Sequence, residues 1–414
     1  MSSVIKPMTQ ETWHTPSFER VQLPEQVCPN CHSQGLLGFY EVGNVPVHSC
    51  LLMSSRDEAL QYRRGDLQLG FCPSCGFIAN ARFDPVMEEY STRYEETQGF
   101  SECFNTFACG LARRLADQYG IRRKNILEIG CGKGEFLGLL CQLGDNQGIG
   151  IDPAYVPKRR PEGAESRVVF IQDLYSEKYA HLQADAIICR HTLEHIAPTR
   201  RFLQMLRSSI GDRLETLVFF ELPDTMRILR EGAFWDLYYE HCSYFTAGSL
   251  ARLFRSAGFD LIDLQLDYDD QYLLLLAKPV PGVTAMRLDL EDDLDDLAFA
   301  VGDFQRVCRA EIECWHSRIQ RMAATGRRVV VWGSGSKGVA FLSTLGVTDA
   351  IEYVVDINPH RHGKFMPGTG QQIVPPLFLA EYRPDYVIVM NPIYCDEIQR
   401  NLDRVGCKTE VLPV

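Results

Sequence analysis

The stretch Asn125-Ile126-Leu127-Glu128-Ile129-Gly130-Cys131-Gly132-Lys133-Gly134-Glu135, with Gln147-Gly148-Ile149-Gly150-Ile151-Asp152 after it, decides the fold. A short apolar run ending in glycines, a helix-compatible segment and a second apolar run closed by an acid spell strand, glycine turn, helix and strand. The glycines at 130, 132 and 134 read G-x-G-x-G, not the G-x-G-x-x-G that seats a pyrophosphate on a helix N-terminus. Without side chains, backbone amides approach a short charged arm closely. Glu128 is suited to hold an ammonium, and Asp152 stands where a carboxylate accepts from two ribose hydroxyls. That grammar points to a nucleoside with a charged arm. A nucleotide fold of another kind, or a glycine turn kept for packing, is the competing reading.

Working outward, strand-like runs at Val168–Ile171, Ala184–Cys189 and Leu217–Glu221 alternate with helical stretches, a rhythm that predicts βαβ units and a mostly parallel sheet. Phe259–Leu266, a polar turn and Tyr272–Ala277 then read as a hairpin. Lys278-Pro279-Val280-Pro281-Gly282 breaks the pattern as a linker. Beyond it an acidic start at Asp289–Asp296 leads into a helix reaching about Met322. Next comes a second strand and glycine loop, Arg328-Val329-Val330-Val331-Trp332-Gly333-Ser334-Gly335-Ser336-Lys337-Gly338, now with true G-x-G-x-x-G spacing. Asp356 follows a strand at Ile351–Val355, and Asp385–Met390 supplies another. Upstream, 22 to about 100 is rich in Cys, Gly, Pro and Asn and lacks helical periodicity. The expected division is therefore 1–100, a small loop-and-strand module, then 101–280 and 281–414, two α/β units of Rossmann-like type.

The chain has 414 residues, of which 45% are hydrophobic, enough for two or three cores. No window approaches the roughly 18 apolar residues of a membrane span. Met1–Pro7 lacks a charged start followed by an apolar region, so a cytoplasmic protein is expected. The 15 cysteines, an odd number, suit a reducing compartment. A net charge of −12 without a long Lys/Arg run argues against nucleic acid as partner. Oligomeric state is not legible.

Two C-x-x-C knuckles, Cys28-Pro29-Asn30-Cys31 and Cys72-Pro73-Ser74-Cys75, predict a tetrahedral tetrathiolate zinc site. Four protein thiolates leave no open position, so the metal would staple the module and perform no chemistry. Redox or packing cysteines are the alternative. His32, His48 and Cys50 are spare ligands or ordinary polar residues.

For chemistry, Arg190-His191-Thr192-Leu193-Glu194-His195 follows a strand directly, at the edge where open α/β sheets place ligands. His191 or His195 could face a cofactor, or the two could form a metal or helix-surface pair one turn apart. Phe234–Phe245 packs aromatics around Glu240 and His241, as a pocket wall or as a core segment with a surface Glu-His pair. Tyr90–Ser101 is a lid or a linker.

The first glycine motif resembles the S-adenosylmethionine site of class I methyltransferases. The whole ordered set, from the knuckles through E-I-G-C-G-K-G, R-H-x-x-E-H, Y-x-E-H and W-G-S-G-S-K-G, resembles the zinc-containing C-methyltransferases that act on nucleotide-linked deoxysugars. The resemblance implies a zinc domain, a class I methyltransferase domain and a C-terminal Rossmann-like domain around one active site. It places Glu128, Gly130, Cys131, Gly132 and Gly134 around the methionine arm, Asp152 on the ribose, Asp173 and Leu174 near the adenine, and Arg190 at the next strand end. It implies proton removal from carbon beside a ketone by His241, with Tyr238 and Glu240 as its neighbours and His191 and Tyr94 assisting the enolate. The insert Val45–Cys50 through Arg63–Asp66 and the Tyr94–Ser101 segment depart from the sugar enzymes, so a sister branch acting on oxygen or nitrogen of a non-sugar acceptor stays open. So does a bifunctional protein whose second glycine loop, Gly333, Gly335 and Gly338 with Asp356, binds a nicotinamide dinucleotide. Within the family that domain is not expected to bind it, and Lys337 and His360–Lys364 suit acceptor phosphates.

Overall fold

The computed structural model describes residues 16–159, 167–282 and 286–414, and the reading of Met1–Pro7 lies outside them. Three sheets follow one another along the chain. The first holds β1 (Val21–Val27), β2 (Gln34–Pro46), β3 (Arg64–Phe71) and β4 (Ile78–Asn80) as an antiparallel meander. Its fifth strand comes from far away in sequence, since Ser243–Tyr244 pairs with β4.

The central sheet is built on β5 (Asn125–Ile129), β6 (Gln147–Ile151), β7 (Val168–Ile171), β8 (Ala186–Arg190) and β9 (Leu217–Pro223), all parallel. Apolar residues buried on both faces of β5 and β8 explain their near-continuous Ile and Leu content. With β10 denoting Ser243–Tyr244, the hairpin β11 (Phe259–Asp267) and β12 (Tyr272–Pro279) completes the order β11-β12-β9-β8-β5-β6-β7. β12 runs antiparallel to both of its neighbours, so only this strand opposes the rest. That is the α/β sheet of class I methyltransferases, and it puts the ends of β5, β6, β8 and β9 along one edge.

The third sheet, β13 (Val329–Trp332), β14 (Tyr353–Val355), β15 (Gln372–Val374), β16 (Tyr386–Val389) and β17 (Glu410–Pro413), is wholly parallel in the order β15-β14-β13-β16-β17. The long helix Leu294–Ala324 joins it to the first sheet. Leu297, Ala300, Val301, Phe304, Cys308, Ile312, Trp315 and Ile319 are its buried residues, at helical spacing. Phe304 packs edge-on against Phe39 and Tyr40 of β2. Further along the same buried stripe, Trp315 meets Phe341 of the third unit. A single hydrophobic core therefore runs from Phe18 through Trp235 to Leu412. Among the described residues no helix is long and apolar enough to cross a membrane.

Candidate active site

A cavity of about 1120 Å³ lies between the C-terminal edge of the central sheet and the ends of β13 and β16. It exceeds the usual range for one small ligand, so a nucleoside cofactor and an acceptor fit together.

One half is the glycine turn. Gly130 follows β5 at φ +71°, and a Cβ there would sit 1.9 Å from Thr192 Oγ1. Gly132 N donates to Asp152 Oδ2 at 2.8 Å and Ala154 N to Oδ1 at 2.7 Å, which fixes that carboxylate at the tip of β6. Glu128 is buried, and its Oε2 has no hydrogen-bond partner. Burial pushes its carboxyl up to about 8 against the pull of Arg190. An orphaned buried acid on a cavity wall is what an incoming ammonium would satisfy, so the donor set fits S-adenosylmethionine. Cys131, Asp173, Leu174 and Arg190 also line the cavity. Asp173 is held by Lys178 and by the Tyr179 hydroxyl at 2.6 Å, while Leu174 stays 62% exposed as an apolar shelf. Arg190 is committed to Glu221, at 2.6 and 3.0 Å, and lies over the Phe136 ring. Gly134 does not line the cavity. It sits at φ +83° before the helix Glu135–Gly144, where a Cβ would strike Phe170 at 2.2 Å.

The other half gathers imidazoles and phenols. His241 lines the cavity, and no hydrogen bond to its ring nitrogens occurs among the described residues. Its ring lies 4.7 Å from His195 and 4.6 Å from Tyr238. Burial, joined by the neighbouring His195, pushes it down to about 4, leaving a free lone pair at neutral pH. Tyr238 also lines the cavity and donates to Asp236 Oδ1 at 2.7 Å.

His191 takes a left-handed φ of +46°, strain that turns its ring towards Glu221 Oε1 at 2.9 Å and Glu194 Oε1 at 3.5 Å. Burial opposes its charge, but the two carboxylates outweigh it and lift the ring to about 9. The helix-surface alternative for His191 and His195 does not hold: Leu193–His195 is a single 3-10 turn, and Glu194 is buried behind it.

Tyr94 lines the cavity with its ring 5.4 Å from Tyr90. Glu240 does not line it. Its carboxylate turns away, accepting from His48 Nδ1 at 2.7 Å and Ser49 N at 3.1 Å; burial alone would raise it, but the His48 hydrogen bond and the surrounding histidine rings together hold it down to about 2. Glu240, expected as a neighbour of His241 in the site, thus gives its carboxylate to the His48 side and not to the cavity. His48 and Cys50, read as spare zinc ligands, lie here instead, Cys50 at 3.4 Å from Ser336 Oγ.

Sequence reasoning also passed over Lys133. It is fully buried, and its Nζ donates to the Tyr94 and Ala154 carbonyls and to Glu96. Its position inside the glycine motif was the available signal. Tyr90 was placed in a lid or linker, yet its hydroxyl meets His195 Nδ1 at 2.9 Å.

On the third unit's side, Lys337 does not stand free for a phosphate. It pairs with Asp236 at 2.9 Å and donates to Gln271 at 3.2 Å. Asp356 accepts from Ser334 N and Oγ and from Asn358 N, which fixes this carboxylate after β14 much as Gly132 and Ala154 fix Asp152 after β6.

Away from this cavity, Cys28, Cys31, Cys72 and Cys75 converge with their sulfurs within 4.8 Å of one another. Two pairs, Cys28–Cys75 and Cys31–Cys72, stand 3.6 Å apart, close to the roughly 3.8 Å edge of a tetrahedron with 2.3 Å metal–sulfur bonds.

Two family models match the chain: a methyltransferase domain over residues 103–264 and a C-methyltransferase C-terminal domain over 289–410. The C-methyltransferase NovU of Streptomyces niveus is 26% identical over 293 residues, covering 67% of this chain and 68% of NovU. Among solved structures, the 1,6-didemethyltoxoflavin-N1-methyltransferase of Burkholderia thailandensis, with bound S-adenosylhomocysteine, aligns at 19% identity and a TM-score of 0.34, covering 42% of this chain and 78% of that one. The magnesium protoporphyrin IX methyltransferase of Synechocystis aligns at 14% identity and a TM-score of 0.34, covering 43% and 84%.

Proposed function

This chain belongs to the S-adenosylmethionine-dependent C-methyltransferase family, and from that premise we propose that it methylates carbon next to a carbonyl group through an enolate, with His241 as the base. The observation that carries the reading is an imidazole without a hydrogen-bond partner among the described residues, pushed down to about 4, facing the same cavity as an imidazolium lifted to about 9. Two histidines whose surroundings drive them apart suit one base and one electrostatic partner.

When bound, S-adenosylmethionine supplies an electrophilic methyl group on its sulfonium. Glu128 and the amides of the glycine turn hold the methionine arm, Asp152 the ribose, and Asp173 with Leu174 the adenine end. His241 takes the proton from the carbon beside the carbonyl, the C–H electron pair forms a carbon–carbon double bond, and the carbonyl π pair moves onto the oxygen. His191, as imidazolium, stabilises that oxygen, with Tyr94 and Tyr238 shaping the wall around the acceptor. The enolate carbon is the nucleophile to which the sulfonium methyl would be supplied, with the thioether of S-adenosylhomocysteine as the leaving group. Nucleotide-linked ketosugars are the first acceptors to test, given the resemblance of the motifs. Cys28, Cys31, Cys72 and Cys75 would hold a structural zinc, for which the sulfur spacing is the support.

The test is solvent deuterium exchange into nucleotide-linked ketosugars with S-adenosylhomocysteine present, alongside methyl transfer from labelled S-adenosylmethionine. Both should occur, and His241→Ala should cut both by roughly 10²–10⁴-fold with cofactor affinity nearly intact. Methyl transfer without exchange, or unchanged turnover in the variant, removes His241 from the base role.

A further inference from the structure

His48 lies in the insert between the two knuckles, where the chain departs from the sugar-acting enzymes, and it is 0% exposed. Its hydrogen bonds fix its tautomer. The backbone N–H of Glu89 donates to Nε2 at 2.7 Å, so Nε2 carries the lone pair and the proton is on Nδ1. Nδ1 therefore donates to Glu240 Oε2 at 2.7 Å, across 192 residues of sequence. Glu240 passes the constraint on through its backbone. Its carbonyl oxygen, which only accepts, lies 3.1 Å from His195 Nδ1, and the Tyr90 hydroxyl 2.9 Å from the same nitrogen donates its own proton to Glu88 Oε1, so with both neighbours accepting His195 carries its proton on Nδ1 and keeps its Nε2 lone pair free. The next residue is His241. Tyr90 closes the ring of contacts, with its face 5.3 Å from the His48 ring and its hydroxyl on His195.

We infer that His48 is a positioning residue for the methyl transfer, holding Glu240 so that the 240–241 backbone fixes the tautomer of His195 and delivers His241 to the acceptor. The role rests on His241 being the base, although the tautomer of His195 does not. Without His48, the buried Glu240 carboxylate keeps only the Ser49 amide. A buried carboxylate deprived of its main donor turns, protonates or draws in water, and each response moves the backbone that carries His241.

Two full-length variants separate positioning from packing. His48→Phe keeps a ring against Tyr90 but donates nothing. His48→Asn puts an amide N–H where Nδ1 stood and gives up the Nε2 acceptor. The measurements are 15N spectra of histidine side chains in the complex with S-adenosylhomocysteine, the affinity for that ligand, and kcat and KM with a ketosugar turned over by the wild type. In His48→Phe we expect His195 to lose its Nδ1–H signature and kcat to fall about 10- to 100-fold, the cost of a small misplacement, with S-adenosylhomocysteine affinity within about twofold. His48→Asn should restore the His195 signature and most of kcat. An unchanged His195 spectrum in His48→Phe overturns the proposal, whatever the rates do. Equal loss in both variants reduces His48 to packing. If His241→Ala keeps its turnover while His48→Phe still alters the His195 spectrum, the base assignment fails and the His48–Glu240–His195 linkage stands.

Discussion

At the residue scale, two histidines in one cavity end at opposite extremes for reasons the sequence shows only in part. His241 stands among aromatic rings, so burial and the nearby His195 lower it to about 4. His191 stands between Glu194 and Glu221, which outweigh burial and raise it to about 9. The base must be unprotonated and the imidazolium protonated, so kcat/KM is expected to rise as pH climbs through about 4, hold a broad plateau, and fall through about 9. His191→Gln should lower the plateau and abolish the alkaline fall. A pH profile on an acceptor that is turned over checks this: an acid limb near the ordinary histidine value, or an alkaline fall that survives in His191→Gln, contradicts the assignment. The motif resemblance singled out His241 and His191, whereas position after a strand left His191 and His195 both open. Which carboxylate each would meet was not legible, because Glu221 ends a different strand and Glu240, next in sequence to His241, turns away from it to His48.

At the scale of elements, two glycine loops of different spacing also differ in what their glycines do. In the first, Gly130 holds φ +71° with Thr192 Oγ1 where a Cβ would go, so Gly130→Ala meets backbone strain and a clash together. A loss of about 1–3 kcal/mol in stability and at least a tenfold drop in S-adenosylhomocysteine affinity are expected, read by urea unfolding and calorimetry. In the second, Gly335 sits at φ −78° with open space for at least 4 Å around the point where a methyl group would stand, so Gly335→Ala should be neutral or stabilise by up to about 1 kcal/mol. Equal damage from both substitutions would mean that the second loop also seats a ligand tightly. Gly338 is different again, because a Cβ there would meet the Gly333 carbonyl at 2.3 Å, so this glycine serves packing. Local pattern made β5, β6, β7 and the β11–β12 hairpin legible, since each is set by apolar runs and turn residues close in sequence. It could not reveal β10 joining the first sheet, a pairing of Ser243–Tyr244 with Ile78 and Ala79 that depends on contacts across the whole chain.

At the scale of the molecule, the cysteine module is not an appendage. Its sheet takes β10 from the segment that carries His241, its β2 packs on the long helix in a shared core, and its insert supplies His48 to Glu240. Zinc at Cys28, Cys31, Cys72 and Cys75 would close the β1–β2 and β3–β4 turns at the far end of that sheet from the cavity. Structural zinc contributes folding free energy directly, so removing it should loosen the sheet and withdraw support from His48 and β10 first. The glycine turn is hydrogen-bonded directly to β6 and Asp152, and the module reaches it less directly, through the apolar cluster its cysteines share with Leu127, Ile129 and Ile151 and through the Lys133 contacts with Tyr94 and Glu96. Elemental analysis of the purified protein should therefore find about one zinc per chain. Chelation, or Cys31→Ser, should lower the unfolding midpoint and cost at least tenfold in acceptor turnover, while S-adenosylhomocysteine affinity falls far less. Hydrogen exchange should rise first in residues 21–80 and 238–245. If metal-free protein unfolds and turns over like the loaded form, the four thiols are packing groups. If cofactor affinity collapses together with turnover, the module supports the whole molecule evenly and not the acceptor side in particular.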